Sequence, residues 1–151
     1  MVTAGQDLEA VRELFKEYAA QVGTDLCFQG FSAELAELPG DYAAPGGTLL
    51  LATVTGTPAA CVGVRRWDAT TCEMKRLYVR PEFQRSGLGR ILVERTIDWS
   101  SAQGYQRLVL DTLPSMAAAQ RLYERVGFVD IEPYRPNPVV GARYMSRSLT
   151  S

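Results

Sequence analysis

The chain has 151 residues, 46% of them apolar and 22% charged, which is the size and balance of one globular domain spanning residues 1–151. Sixteen basic against seventeen acidic side chains leave a net charge of -1, without the basic surplus needed to grip nucleic acid or an anionic membrane. No histidine occurs, so Ser-His-Asp triads, histidine metal sites and histidine bases are excluded, and acid–base chemistry falls to carboxylates, tyrosines, cysteines and lysines.

In chain order, Leu8, Val11, Leu14, Phe15 and Tyr18 recur at helical spacing and predict an amphipathic helix over 7–22, stopped by Gly23. Only Met1–Ala4 precede the first helix signals, so an opening N-terminal strand is either vestigial or the sheet starts one strand late. A short helix is expected over 33–38, capped by Ser32 and stopped by Pro39–Gly40. Residues 48–55 and 59–66 are β-rich runs around Gly56-Thr57-Pro58 and read as a hairpin. A strand over 74–79 closes at Arg80–Pro81, and a helix over 88–103 ends at Gly104. A strand over 107–111, a helix over 117–126, a strand over 128–131, a proline-broken loop over 133–138 and a strand over 140–146 complete the chain. The order places the protein in the α/β (α+β) class around one sheet.

Cys27, Cys61 and Cys72 lack the C-x-x-C spacing of a zinc or redox site and read as buried thiols of a reducing compartment. No basic-then-apolar leader opens the chain, and its longest apolar run falls far short of the ~18 residues of a membrane span. The expectation is a soluble, cytoplasmic protein that uses no metal and binds neither nucleic acid nor membrane.

The segment from Leu77 to Arg90 is the informative one. A strand ends, a turn carries Gly87 and Gly89 between Arg85 and Arg90, and a helix begins. The first turn of a helix offers unpartnered N–H groups and a partial positive charge to an anion, and glycines let a phosphate come close. The spacing fits neither G-x-x-x-x-G-K-[ST] nor G-x-G-x-x-G. The residues alone leave two readings open: a phosphate cradle, or a tight strand-to-helix turn.

Gln84-x-x-Gly87-x-Gly89 resembles the acyl-CoA pyrophosphate motif of the GNAT superfamily of N-acetyltransferases. Ala119-x-x-Leu122-Tyr123-x-x-x-Gly127-Phe128 is similar to that superfamily's second signature. The resemblance implies a mixed sheet of about six strands flanked by four helices, with a V-shaped opening between two parallel strands. It implies acetyl-CoA as co-substrate, its pantetheine arm along Leu77, Tyr78 and Val79, with one strand amide polarising the thioester carbonyl. It places the pyrophosphate on the stretch Gln84, Arg85, Ser86, Gly87, Leu88, Gly89 and Arg90, and makes Tyr123 the acid that protonates the departing thiolate.

Glu73 lies where some members place a general base, and strand alternation predicts Glu73, Lys75, Leu77 and Val79 on one face. An ion pair is its alternative role. Asp111 aligns with the base of other members, or caps the following helix. Many members carry an asparagine seven residues before the tyrosine; Met116 stands there, with Ser115 beside it to compensate. The family's acceptor walls correspond to Phe28, Gln29 and Phe31 on one side and to Tyr134, Arg135 and Asn137 on the other. Prolines stiffen the second wall, and Arg135 can meet a substrate carboxylate or lie solvated. The implied activity is direct acetyl transfer to a primary amine of a small molecule or peptide in a ternary complex, because nothing supplies Cys61 or Cys72 with a base. A catalytically silent acyl-CoA-binding regulatory module is the alternative, and homodimers are common in the family.

Overall fold

The computed structural model describes residues 2–4, 7–22, 30–137 and 139–150. Strand β1 (Val2–Ala4), helices α1 (Leu8–Val22) and α2 (Phe31–Glu37), and strands β2 (Thr48–Val54), β3 (Thr57–Arg66) and β4 (Thr71–Val79) form the first half. Helix α3 (Leu88–Ala102), β5 (Arg107–Thr112), α4 (Ala117–Arg125), β6 (Val129–Asp130) and β7 (Arg143–Ser148) follow. Among the described residues the strands make one seven-stranded sheet in the order β1-β2-β3-β4-β5-β7-β6, in which only β4 and β5 run parallel. The N-terminal strand is therefore present, paired to β2 over three residues. Among the described residues no helix is long and apolar enough to cross a membrane.

Two local expectations are corrected. The β2–β3 hairpin pivots on Thr55 and Gly56, both at positive φ, so Thr57 and Pro58 belong to β3; paired positive φ values match the twist of the flanking strands. Gly30, at φ 69°, turns the chain into α2 without a side-chain cap, which puts Ser32 inside the helix rather than at its cap.

Strand alternation sorts the core onto two faces. Leu50, Ala52, Ala60, Val62, Cys72 and Met74 pack with Leu92 and Val93 of α3 and Tyr123 of α4. Leu49, Leu51, Cys61 and Tyr78 pack with Val11, Leu14 and Phe15 of α1. The expected single face of β4 is broken by a bulge. Lys75 pairs with Gly63 and Tyr78 with Cys61, so Arg76 and Leu77 together oppose Val62, and Arg76 sits at φ 61°. Met74 before the bulge and Leu77 and Val79 after it pack on the α3/α4 side, whereas Tyr78 packs on the α1 side. Glu73 and Lys75 thus face away from Leu77 and Val79.

Candidate active site

Parallel pairing of β4 with β5 lasts three residue pairs, ending at Glu73↔Val109. Both strands continue, but β3 holds β4 to Val79 and β7 holds β5 to Thr112, so their C-terminal halves splay. A cleft fills the splay, lined by Met74, Lys75, Arg76 and Leu77 from β4, by Leu110, Asp111 and Thr112 from β5, and by Met116, Ala119 and Tyr123. Tyr18 and Asn137 close its sides. Ligands of α/β sheets lodge at this end of parallel strands. Arg80 donates its backbone N–H to Ala59 of β3, so the alternating backbone groups of Val79 face the open edge.

The cleft floor is polar and buried. Lys75 Nζ lies 3.5 Å from Asp111 Oδ1, their side chains 3% and 5% exposed. Asn137 donates from Nδ2 to Asp111 Oδ2 at 3.3 Å. Burial lowers Lys75 to about 8, against the opposing pull of Asp111 and Glu73. Burial pushes the Tyr123 phenol well above its ordinary value, and the neighbouring Tyr18 and Asp111 push it further. A buried phenol held protonated can act as a proton donor. Arg76 points out of the strand to Glu34 of α2 through two bonds of 3.0 and 3.1 Å, with its guanidinium over the Phe31 ring at 5.0 Å.

Glu73 does not line the cleft. It is wholly buried, accepting from Arg65 Nε at 3.0 Å, Arg135 Nη2 at 2.6 Å and the Tyr134 hydroxyl at 2.7 Å. Tyr134 and Arg135 therefore turn inward, and of the two alternatives for Arg135 the solvated one is excluded. Asp111 likewise caps nothing: the N-cap of α4 is Met116, with no side-chain cap. Met116 lines the cleft, its sulfur accepting from the Thr112 hydroxyl at 3.7 Å, whereas Ser115 is exposed. Phe28, Gln29 and Cys27 lie outside the described residues.

At the outer end of β4 the chain makes a second feature. Arg85 at φ 69° and Gly87 at φ 84° turn it into α3, whose first amides have no side-chain cap. A Cβ on Gly87 would point into open space, and Arg85, Ser86 and Gly87 are exposed. Gln84 donates from Nε2 to the Val79 carbonyl at 3.1 Å, folding this turn back onto the strand end. The Ser86 hydroxyl donates to the Phe83 carbonyl. Unfilled amides, an open glycine and a flanking cation fit a pyrophosphate, and they sit at the mouth of a cleft suited to a narrow arm.

Of the residues named from the sequence, Tyr123 and Asp111 line the cleft and the glycine turn lies at its mouth. Glu73 takes its alternative role as an ion-pair partner, of Arg65 and Arg135, and the Lys75–Asp111 and Arg76–Glu34 pairs were not foreseen. Their signal was present: Glu73, Lys75 and Arg76 are three charges inside a central strand, which is costly unless each is paired.

The chain matches the model of the Acetyltransferase (GNAT) family over residues 8–128. It is 43% identical over 142 residues to an uncharacterised N-acetyltransferase of Schizosaccharomyces pombe, covering 93% of this chain and 87% of that one. Its fold resembles a GNAT acetyltransferase from Staphylococcus aureus with a TM-score of 0.82 at 20% identity, covering 99% and 100% of the two chains. A GNAT acetyltransferase from Elizabethkingia anophelis with acetyl-CoA bound matches with a TM-score of 0.59 at 24% identity, over 68% of this chain and 76% of that one. Splayed strands, an uncapped glycine turn and a buried tyrosine thus coincide with the family match: the chain belongs to the GNAT acetyltransferase family.

Proposed function

We propose that this protein transfers the acetyl group of acetyl-CoA directly to a primary amine of a small molecule or peptide. The carrying observation is that Tyr123 and Asp111 line one cleft between the open edges of β4 and β5. Acetyl-CoA supplies an activated acyl group as a thioester. Leu77, Tyr78 and Val79 offer backbone groups to its arm, and residues 85–90 offer amides to its pyrophosphate. Met116 takes the place of the polar contact that many relatives make, so the arm is held by backbone and apolar surface.

Asp111 takes the proton that an ammonium acceptor must lose before its nitrogen attacks, because it reaches the cleft and Glu73 does not. As the C–N bond forms and the C–S bond breaks, Tyr123 gives its proton to the departing sulfur and is restored by the second proton lost from the new amide nitrogen, while Asp111 releases the first to solvent. Direct transfer is supported by the two described thiols: burial pushes both Cys61 and Cys72 up, the latter to about 11, and neither lines the cleft.

The test is thiol release from acetyl-CoA against polyamines, amino acids, aminoglycosides and lysine peptides. Release with one class, lost on Asp111→Asn by about 100-fold or more in kcat, is the expected result. Tight acetyl-CoA binding without release across the panel supports the silent regulatory module instead.

A further inference from the structure

Glu73 is the most completely enclosed carboxylate of the sheet, yet no catalytic step in the cleft uses it. Its three partners share one feature. Tyr134 and Arg135 belong to the strap that runs from β6 to β7, and Arg65 on β3 braces the carboxylate from the neighbouring strand. The strap is fixed again one turn further on, where Asn137 donates to Asp111 at 3.3 Å. Aromatic packing completes the anchor. The Trp67 and Tyr134 rings meet edge-on at 5.0 Å, Tyr134 meets Tyr144 at 5.5 Å, and Arg135 lies over Trp67 at 4.8 Å. The Tyr144 hydroxyl donates to the Arg135 carbonyl at 2.9 Å, so the backbone of the strap is held as well as its side chains.

We infer that Glu73 is a positioning residue: it fixes the 131–137 strap beside the cleft so that the acceptor meets a preformed wall. The inference rests on the amine-transfer reading only for what the wall contacts; the anchoring stands on geometry. One carboxylate facing two guanidiniums is a strong tie, and it holds a loop whose own prolines, Pro133 and Pro136, already restrict it. Such preorganisation acts on acceptor binding, whereas a proton acceptor acts on turnover.

The experiment compares Glu73→Gln, Arg135→Met and Tyr134→Phe in a Trp99→Phe background, where Trp67 is the remaining tryptophan of two. Acrylamide quenching of Trp67 reports the anchor, titration with acetyl-CoA reports the cofactor side, and steady-state kinetics use the amine turned over best. For Glu73→Gln we expect a quenching constant raised about twofold or more and an acceptor KM raised about tenfold. The kcat, the acid limb of its pH profile and acetyl-CoA affinity stay near wild type. Arg135→Met and Tyr134→Phe leave Glu73 in place and shift quenching and KM the same way, so they decide the matter if Glu73→Gln does not fold. A Glu73→Gln kcat lowered about 100-fold at unchanged acceptor KM, with the acid limb gone, makes Glu73 the proton acceptor and overturns the inference. Unchanged quenching and KM in the two strap variants overturn it too. A wild-type protein that acetylates no amine sinks the amine reading alone, and quenching then decides the strap.

Discussion

The two faces of the sheet are built on different physics. The face under α3 and α4 carries no buried charge and is mainly apolar, with Val62, Val64, Leu92, Leu108 and Met145 in one cluster and the small hydroxyls of Thr96 and Ser100 beside it. The opposite face carries Glu73, Lys75 and Arg76 in a single strand, each buried and each paired with an oppositely charged side chain from another element. Burying apolar area is undirected and tolerates exchange of shapes, whereas a buried ion pair demands one partner at one distance. The apolar clusters on both faces therefore hold the fold, and the charged pairs on the second face set where α2, the strap and the cleft floor sit. The bulge at Arg76 joins the two, since it turns the end of β4 from one pattern to the other.

The comparison sharpens most in stability. Replacing Glu73 by Leu leaves Arg65 and Arg135 unpaired in the interior and should cost about 3–5 kcal/mol in denaturant unfolding. Leu92→Ala on the apolar face should cost about 2–5 kcal/mol, with acetyl-CoA affinity kept. The difference between the faces appears on rescue: Arg135→Met should recover part of the Glu73→Leu loss, and no charge change should recover Leu92→Ala. A Glu73→Leu variant as stable as wild type breaks the comparison.

Gly87→Ala gives a smaller effect. Its Cβ meets no atom, so the cost is that of φ 84° alone, about 1–2 kcal/mol, and urea unfolding measures it. Acetyl-CoA binding should weaken along with it, because the Cβ enters the space left for an anion.

The smallest effect is a pH dependence. Lys75 is lowered to about 8 in the fold from an ordinary 10.5, so between those values the unfolded chain binds the proton that the folded chain has lost. Stability from this group thus rises with pH across that window, and below it the penalty is fully present. Subtracting the profile of Lys75→Met from wild type should reveal a rise on the order of 1 kcal/mol from pH 8 to 10. A flat or falling difference contradicts the buried-cation account of the cleft floor.

Much of this was legible in the chain. The periodicity of Val11, Leu14 and Phe15 placed α1 on the sheet, and Gly87 with Gly104 bracketed α3, because apolar spacing and positive-φ glycines leave local signatures. Tyr123 and Asp111 were named through motif and strand end, and both line the cleft. Which partners the β4 charges take was not legible, since Arg76 and Glu34 are 42 positions apart and Glu73 and Arg135 are 62 apart. Nor was the bulge, as Arg76 is no glycine and nothing local requires φ 61° of it. The tertiary contacts with Glu34, Phe31 and Tyr18 hold it there. Alternation carried past that residue put Glu73 and Val79 on one face and made Glu73 look aimed at the chemistry.

The central claim is that the splayed cleft performs acetyl transfer with Tyr123 as its acid. The direct measurement is single-turnover thiol release by Tyr123→Phe at saturating acetyl-CoA and amine, with acetyl-CoA affinity measured on the same sample. The account predicts release slowed about 100-fold or more and affinity within about twofold of wild type. Release at the wild-type rate would contradict it.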